Sequence, residues 1–192
     1  MANFTIAYSK TNSHEGGYSN NPNDRGGETW CGIARNFFPR WGGWRIIDEY
    51  KKSNPATFKQ LIAKDAKLGS YVADFFKTEF WDKLSLDKVV NQAIANELYD
   101  TGVNMGIGKV QGFIQEALNL CNNNQQLYPN IKVDGKLGPI TLQLINNHPN
   151  PQRLFNTLNI LQGERYLNII RNNETQEEFW GGWQGRVFVN AN

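Results

Sequence analysis

Cysteine is nearly absent. Cys31 and Cys121 are the only two in 192 residues. That excludes a disulfide framework as the source of stability, and no zinc-type ligand spacing surrounds them. Both read as partly buried free thiols. Histidine is equally scarce, and His14 and His148 lie far apart in sequence, so neither a metal site nor a cofactor is expected. Charge is sparse and balanced, with 20 Lys plus Arg against 18 Asp plus Glu and a net charge of +2. Nucleic-acid binding needs a concentrated basic patch, and none is present. The slight positive excess suits an anionic polymer. No apolar run reaches membrane-spanning length, so no membrane span is expected. The first residues, Met1-Ala2-Asn3-Phe4-Thr5, lack a charged start and an apolar core. No secretory signal is expected, which implies a protein made in the cytoplasm that acts elsewhere after release.

Aromatic residues are abundant. Eleven Phe, seven Tyr and six Trp make up 12% of the chain and can anchor a core. The length suits one compact domain, or one with a small appendage.

Most segments carry a helical period. Phe4, Ala7 and Tyr8 at i, i+3 and i+4 predict a short first helix that stops at Gly16-Gly17. Glu15 then falls in its last turn, where the partial negative charge of the helix end should raise the carboxyl pKa. Residues 18–33 read as irregular chain or short strands. Asn20-Asn21-Pro22-Asn23-Asp24 and Arg25-Gly26-Gly27 are turn chemistry, and Thr29, Trp30, Cys31 and Ile33 favour extended backbone. The aromatic stretch from Phe37 to Trp44 reads as a loop whose rings serve packing, with a sugar-stacking platform as the functional alternative. Further helices are predicted over about 45–51, 55–81 with a break near Gly69, 87–104 and 109–121. Val133-Asp134-Gly135 to Pro139 reads as a tight loop opening another helix. The last two helices are predicted over about 152–171 and 175–187.

The chemistry concentrates in residues 14–33. Glu15 sits beside two glycines, which let backbone or substrate approach closely. Asp24 follows after eight residues in a turn, and Thr29 lies five further on. An acid, a carboxylate and a hydroxyl aimed into one cleft suffice for inverting hydrolysis of a glycosidic bond. The acid protonates the leaving oxygen, while the carboxylate and hydroxyl hold the attacking water. Glu28 competes for the second role, but strand alternation points it away from Thr29.

Glu15-Gly16-Gly17-Tyr18, with Asn23-Asp24, Gly26-Gly27, Thr29 and Gly32-Ile33, resembles the signature of glycoside hydrolase family 108. Those proteins are N-acetylmuramidases of phage, prophage and secretion-activator type. The pattern is also similar to the Glu, Asp, Thr arrangement of phage-type lysozymes. The gap from Glu15 to Asp24 fits that pattern, and the gap from Asp24 to Thr29 is one residue shorter. Trp30 and Cys31 stand where polar or Tyr residues are more usual. Phe80-Trp81 is similar to the end of a family helix. Tyr99-Asp100, Asn104-Met105-Gly106, Gln111, Val133-Asp134-Gly135, Leu137-Gly138-Pro139, Thr141, Arg165-Tyr166 and Phe179 to Trp183 with Arg186 resemble the predicted peptidoglycan-binding region that follows.

The resemblance implies a mostly α, lysozyme-like helical fold with a short irregular or β segment after the first helix. It implies a muramidase catalytic region over 1–92 and a helical peptidoglycan-binding region over 93–192, packed into one body. The implied activity cleaves the β-1,4 bond between N-acetylmuramic acid and N-acetylglucosamine in peptidoglycan glycan strands. Glu15 would be the general acid, with Asp24 and Thr29 positioning water. Tyr18, Trp30, Asp100 and Asn104 are candidate substrate-contacting residues. Asp100 and Asn104, four apart on one helical face, are read first as structural. A holin-like export partner follows from the same resemblance. Trp180 and Trp183 are either a sugar platform or packing against the first helix.

Two other readings compete. One is a non-catalytic wall-binding or secretion-helper protein, since fold alone does not confer activity. The other is a cysteine hydrolase using Cys31 and His14, which requires the two within hydrogen-bonding reach.

Overall fold

The computed structural model describes residues 1–12, 16–21 and 24–187. The fold is mostly α and lysozyme-like, with one small three-stranded sheet following the first helix. The chain divides into two compact units, Tyr8–Glu79 and Met1–Ala7 with Phe80–Asn192.

Helix α1 spans Phe4–Thr11. It ends well before Gly16-Gly17, where the sequence predicts its stop. Thr11 and Asn12 are poor helix formers, and the Asn12 amide closes the last turn on the Tyr8 carbonyl at 2.8 Å. In the Tyr8–Glu79 unit, strands β1 (Tyr18–Asn20), β2 (Glu28–Trp30) and β3 (Ile33–Ala34) pair antiparallel in chain order. Ser19 lies opposite Thr29, and Tyr18 and Ile33 both lie opposite Trp30. Cys31 is not extended as predicted. With Gly32 it makes the two-residue turn of the β2–β3 hairpin, at φ values of 46° and 77°. Positive φ at both positions matches the right-handed twist of the strands.

Helix α2 (Gly43–Ser53), α3 (Phe58–Ile62) and α4 (Ala66–Phe76) complete this unit. The predicted break in the 55–81 helix falls between α3 and α4 rather than at Gly69, which lies inside α4. Asp65 decides it: its carboxylate caps α4 by accepting from the Leu68 amide at 2.8 Å. Phe38, Trp41, Phe75 and Phe76 meet edge to face, with ring centroids 4.7–6.4 Å apart.

A π-helical turn spans Lys77–Asp82, and its Trp81, which belongs to the second unit, is buried. Phe4 meets the Trp81 and Tyr99 rings at 5.7 and 5.9 Å. Helices α5 (Gln92–Met105) and α6 (Ile107–Cys121) are separated by Gly106 at φ 88°. Helices α7 (Pro139–Asn147), α8 (Pro151–Asn172) and α9 (Trp180–Val187) follow. Both α7 and α8 begin on a proline, whose fixed φ suits a first helical residue. The predicted helix over 175–187 starts as a 3-10 segment, Glu174–Phe179. Buried leucines and isoleucines of α5, α6 and α8 form the core. The loop before α7 is clasped by α6: Gln115 donates to the Asp134 carboxylate at 2.8 Å and accepts from the Gly135 amide at 2.9 Å. The bond from Gln115, followed by that from the Lys136 amide, holds the Asp134 carboxyl below its usual range. Trp183 stacks on Tyr166 of α8 at 4.8 Å, so its ring packs against α8 rather than α1.

A polar seam runs through this core. Glu97 of α5 is 6% exposed and lies against Thr101 and Asn159. Burial, then the nearby Asp100 charge, pushes its carboxyl from 4.5 up to about 8. Asn159 donates its amide N–H to the Phe155 carbonyl at 3.0 Å, which leaves Oδ1 without a donor among the described residues. Thr101 donates its hydroxyl to Glu97 Oε1 at 3.4 Å, and the bonds from Thr101 and Asn159 pull the carboxyl down against the larger effect of burial. Burial and the Asp100 charge also push Tyr166 up to about 12, and Arg186 of α9 bonds Asp100 at 2.6 Å.

Glu97 binds its proton more tightly in the folded state than in the unfolded one. Its contribution is therefore full below pH 4.5 and is lost as pH rises to about 8, at about 1.4 kcal/mol per pH unit. Glu97→Gln should remove this slope. Urea unfolding of both proteins at steps across that range measures it; parallel curves would refute the assignment.

Candidate active site

The sheet is too short to stand in water on its own, since isolated hairpins are marginal. Its charges anchor it to α2. Glu28 of β2 pairs with Lys51 of α2 and makes an ion-pair contact of 2.8 Å to Arg35 Nε. Arg35 extends its fork to Asp48 of α2 at 2.7 and 3.0 Å, and its guanidinium lies over the Trp44 ring at 4.5 Å. Tyr18 joins the same network through Lys51 and Glu28. Burial alone would lower Lys51, but its bonds to Glu28 and Tyr18 outweigh that and hold it above its usual value. Burial raises the Tyr18 hydroxyl, against the opposing pull of Lys51.

This anchoring fixes the opposite side of β2. Side chains alternate along a strand, so Glu28 faces α2 while Thr29 faces the turn at 24–27. Asp24 Oδ1 accepts from the Gly26 amide at 2.8 Å, and the Thr29 hydroxyl donates to the Gly27 carbonyl at 3.3 Å. A Cβ built on Gly26 would lie 3.3 Å from Asp24 Oδ1 and 3.7 Å from Thr29 Oγ1. The carboxylate and the hydroxyl thus flank one glycine. The same Cβ would stand 2.8 Å from the Ala34 Cβ, so the position admits no side chain without movement. Gly27 has φ 66° and packs against Asn36, which ties the turn down through the Arg25 carbonyl.

Glu15 lies outside the described residues, as do His14 and Asn23. Helix α1, whose last turn the sequence predicts to carry Glu15, spans Phe4–Thr11. Tyr18 is on β1, its ring 4.9 Å from Phe58 and faced by Lys51 and Lys59. Trp30 is 6% exposed, and its indole N–H has no partner among the described residues. Asp100 is engaged by Arg186, and Asn104 donates to the Asp100 carbonyl at 2.7 Å one turn back. Both belong to the unit that does not contain Asp24 and Thr29. Sequence reasoning missed Lys51 and Arg35 as partners of Glu28. Their one visible signal is position: Lys51 sits on a predicted helix near a carboxylate that needs a counter-charge.

Comparison with known proteins adds to this geometry. A family model described as Glycosyl hydrolase 108 matches residues 8–106, and one described as Predicted Peptidoglycan domain matches residues 111–188. No curated protein sequence matches the chain. Among solved structures, the one titled "Structure of Brucella abortus SagA" is similar over 96% of this chain and 88% of its own, with a TM-score of 0.60 and 22% identity. At that identity the likeness supports the fold alone.

Two substitutions test the local construction. Glu28→Gln leaves Lys51 and Arg35 short of a counter-charge and should cost about 1–3 kcal/mol in urea unfolding. An unchanged midpoint would show that the network does not hold the sheet. Gly26→Ala should cost about 1–3 kcal/mol by overpacking against Ala34. It should also shift the Asp24 and Thr29 amide resonances; a silent spectrum would contradict the flanking geometry.

Proposed function

We propose, from the premise that the chain belongs to the glycosyl hydrolase 108 family, that it cleaves the β-1,4 bond between N-acetylmuramic acid and N-acetylglucosamine in peptidoglycan. Family membership makes it a glycoside hydrolase, and the C-terminal match supports peptidoglycan as the polymer it acts on. The observation that carries the finer reading is the convergence of Asp24 and Thr29 on Gly26, inside the segment matched to the hydrolase family.

In this reading Glu15 is the general acid. It gives its proton to the glycosidic oxygen as the C–O bond to the anomeric carbon breaks. A water held by Thr29 attacks that carbon from the opposite face of the ring, and Asp24 takes the proton the water loses. The product has inverted configuration. The lack of an acidic partner for Lys59 among the described ion pairs leaves a cation over Tyr18 at the edge of the sheet, compatible with a polymer that carries carboxylates. The wall is reached after release from the cytoplasm.

Digestion of purified peptidoglycan, with products reduced by borohydride and read by mass spectrometry, tests this reading. Wild type should give reduced muramic acid ends. Glu15→Gln should lower the rate about 10²–10⁴-fold, and Asp24→Asn should also lower it, with circular dichroism unchanged. Full activity in Glu15→Gln, or cleaved peptides with intact glycan, would sink the assignment.

A further inference from the structure

Residues between Arg35 and Lys52 of the Tyr8–Glu79 unit line a shallow, largely open cavity of about 510 Å³. Arg35, Arg40, Trp41, Arg45, Asp48 and Lys52 line it. We infer that this cavity is a second glycan-binding site, selective for a carboxylate-bearing saccharide of the N-acetylmuramoyl-peptide type. The inference rests on the wall-hydrolase reading for the identity of the polymer.

The floor is rigid. Trp41 is half-buried, and its indole N–H donates to the Tyr71 carbonyl at 3.2 Å. Its ring meets Trp44 edge to face at 5.1 Å. The ring also lies directly on Gly43: a Cβ there would come within 2.2 Å of it, and a Cβ on Gly42 within 2.7 Å of the Tyr71 ring. The glycine pair is therefore required by the tryptophan's seat. A fixed aromatic ring with one side at a cavity offers a stacking surface at little entropic cost, since its negative face attracts the weakly positive C–H groups of a sugar.

The charges select an acid. Asp48 is satisfied by the Arg35 fork, which is itself held by Glu28 and by stacking on Trp44. Glu49 faces Arg45 at 3.8 Å. Arg40 and Lys52 have no acidic partner among the described residues and are both exposed. Two uncommitted cations beside an aromatic floor favour a sugar unit carrying carboxylate over a neutral one, and a guanidinium can bind carboxylate through two parallel N–H bonds. The Asp24 carboxylate and the Thr29 hydroxyl lie on the other side of β2 from the Glu28–Arg35 pair that borders this surface.

Titration of ¹⁵N-labelled wild-type protein with a soluble N-acetylglucosaminyl-N-acetylmuramoyl peptide tests the inference, with a neutral N-acetylglucosamine oligosaccharide as comparison. The muramoyl peptide should shift the amides of residues 39–45. Arg40→Glu combined with Lys52→Glu should weaken that response at least tenfold, and the neutral sugar should leave those amides in place. Shifts confined to residues 18–34, an unaffected double variant, or equal response to the neutral sugar would each overturn the proposal. Peptidoglycan digestion by the same wild-type preparation separates the two readings. Cleavage with silent 39–45 amides removes the second site and keeps the hydrolase, whereas responsive amides without cleavage do the reverse.

Discussion

Glu28 meets two cations at once, Lys51 from α2 and Arg35 just past β3, and much of the sheet region depends on that arrangement. Three strands of three, three and two residues bury too little to hold themselves. A largely buried carboxylate without counter-charge would be costly, and the two cations offset that cost while joining strand to helix. Once Glu28 is committed to α2, the pleat sends Thr29 to the other face, where Asp24 waits in its turn. The same Arg35 continues to Asp48 and Trp44 and so shapes the wall of the cavity. Both surfaces thus share one electrostatic hinge point, and neither requires an additional element.

The larger unit is organised differently. Its helices pack through leucine and isoleucine, yet a polar seam of Glu97, Thr101, Asn159 and Tyr166 crosses the core, and Gln162, fully buried, has neither amide atom partnered among the described residues. Glu97 falls in the segment matched to the hydrolase family, and Asn159 in the segment matched to the peptidoglycan domain. The seam therefore joins the two matched segments inside one compact unit. Burial pushes the Glu97 carboxyl toward its neutral form, which keeps a charge out of the α5–α8 core.

Much of this architecture was legible from local sequence. The helical period of 45–51, 109–121 and 152–171 corresponds to α2, α6 and α8, because an apolar face must be buried and a period of 3.6 leaves little choice. Pro139 opens α7 for an equally local reason. The misreadings are local signals that a competing interaction overrode. Gly69 reads as a breaker, but the capping carboxylate of Asp65 places the break earlier. Cys31 reads as extended, but a two-residue hairpin turn demands positive φ there. Gly16-Gly17 reads as the stop of α1, which Thr11 and Asn12 end first.

What the sequence determined by itself is the class of the fold, the family signature around Asp24 and Thr29, and the turn chemistry that brings Asp24 back toward β2. These depend on residues close along the chain, where a few dihedral preferences and one or two hydrogen bonds decide the outcome. Tertiary structure alone decided that Glu28 belongs to Lys51 and Arg35, that Trp41 sits on Gly43 beside a cationic cavity, that Trp30 is core, and that Asp100 is spoken for by Arg186. Those pairings join residues 2 to 86 positions apart. Their energies are set by burial and by which charge remains uncompensated, and neither quantity exists until the chain has folded.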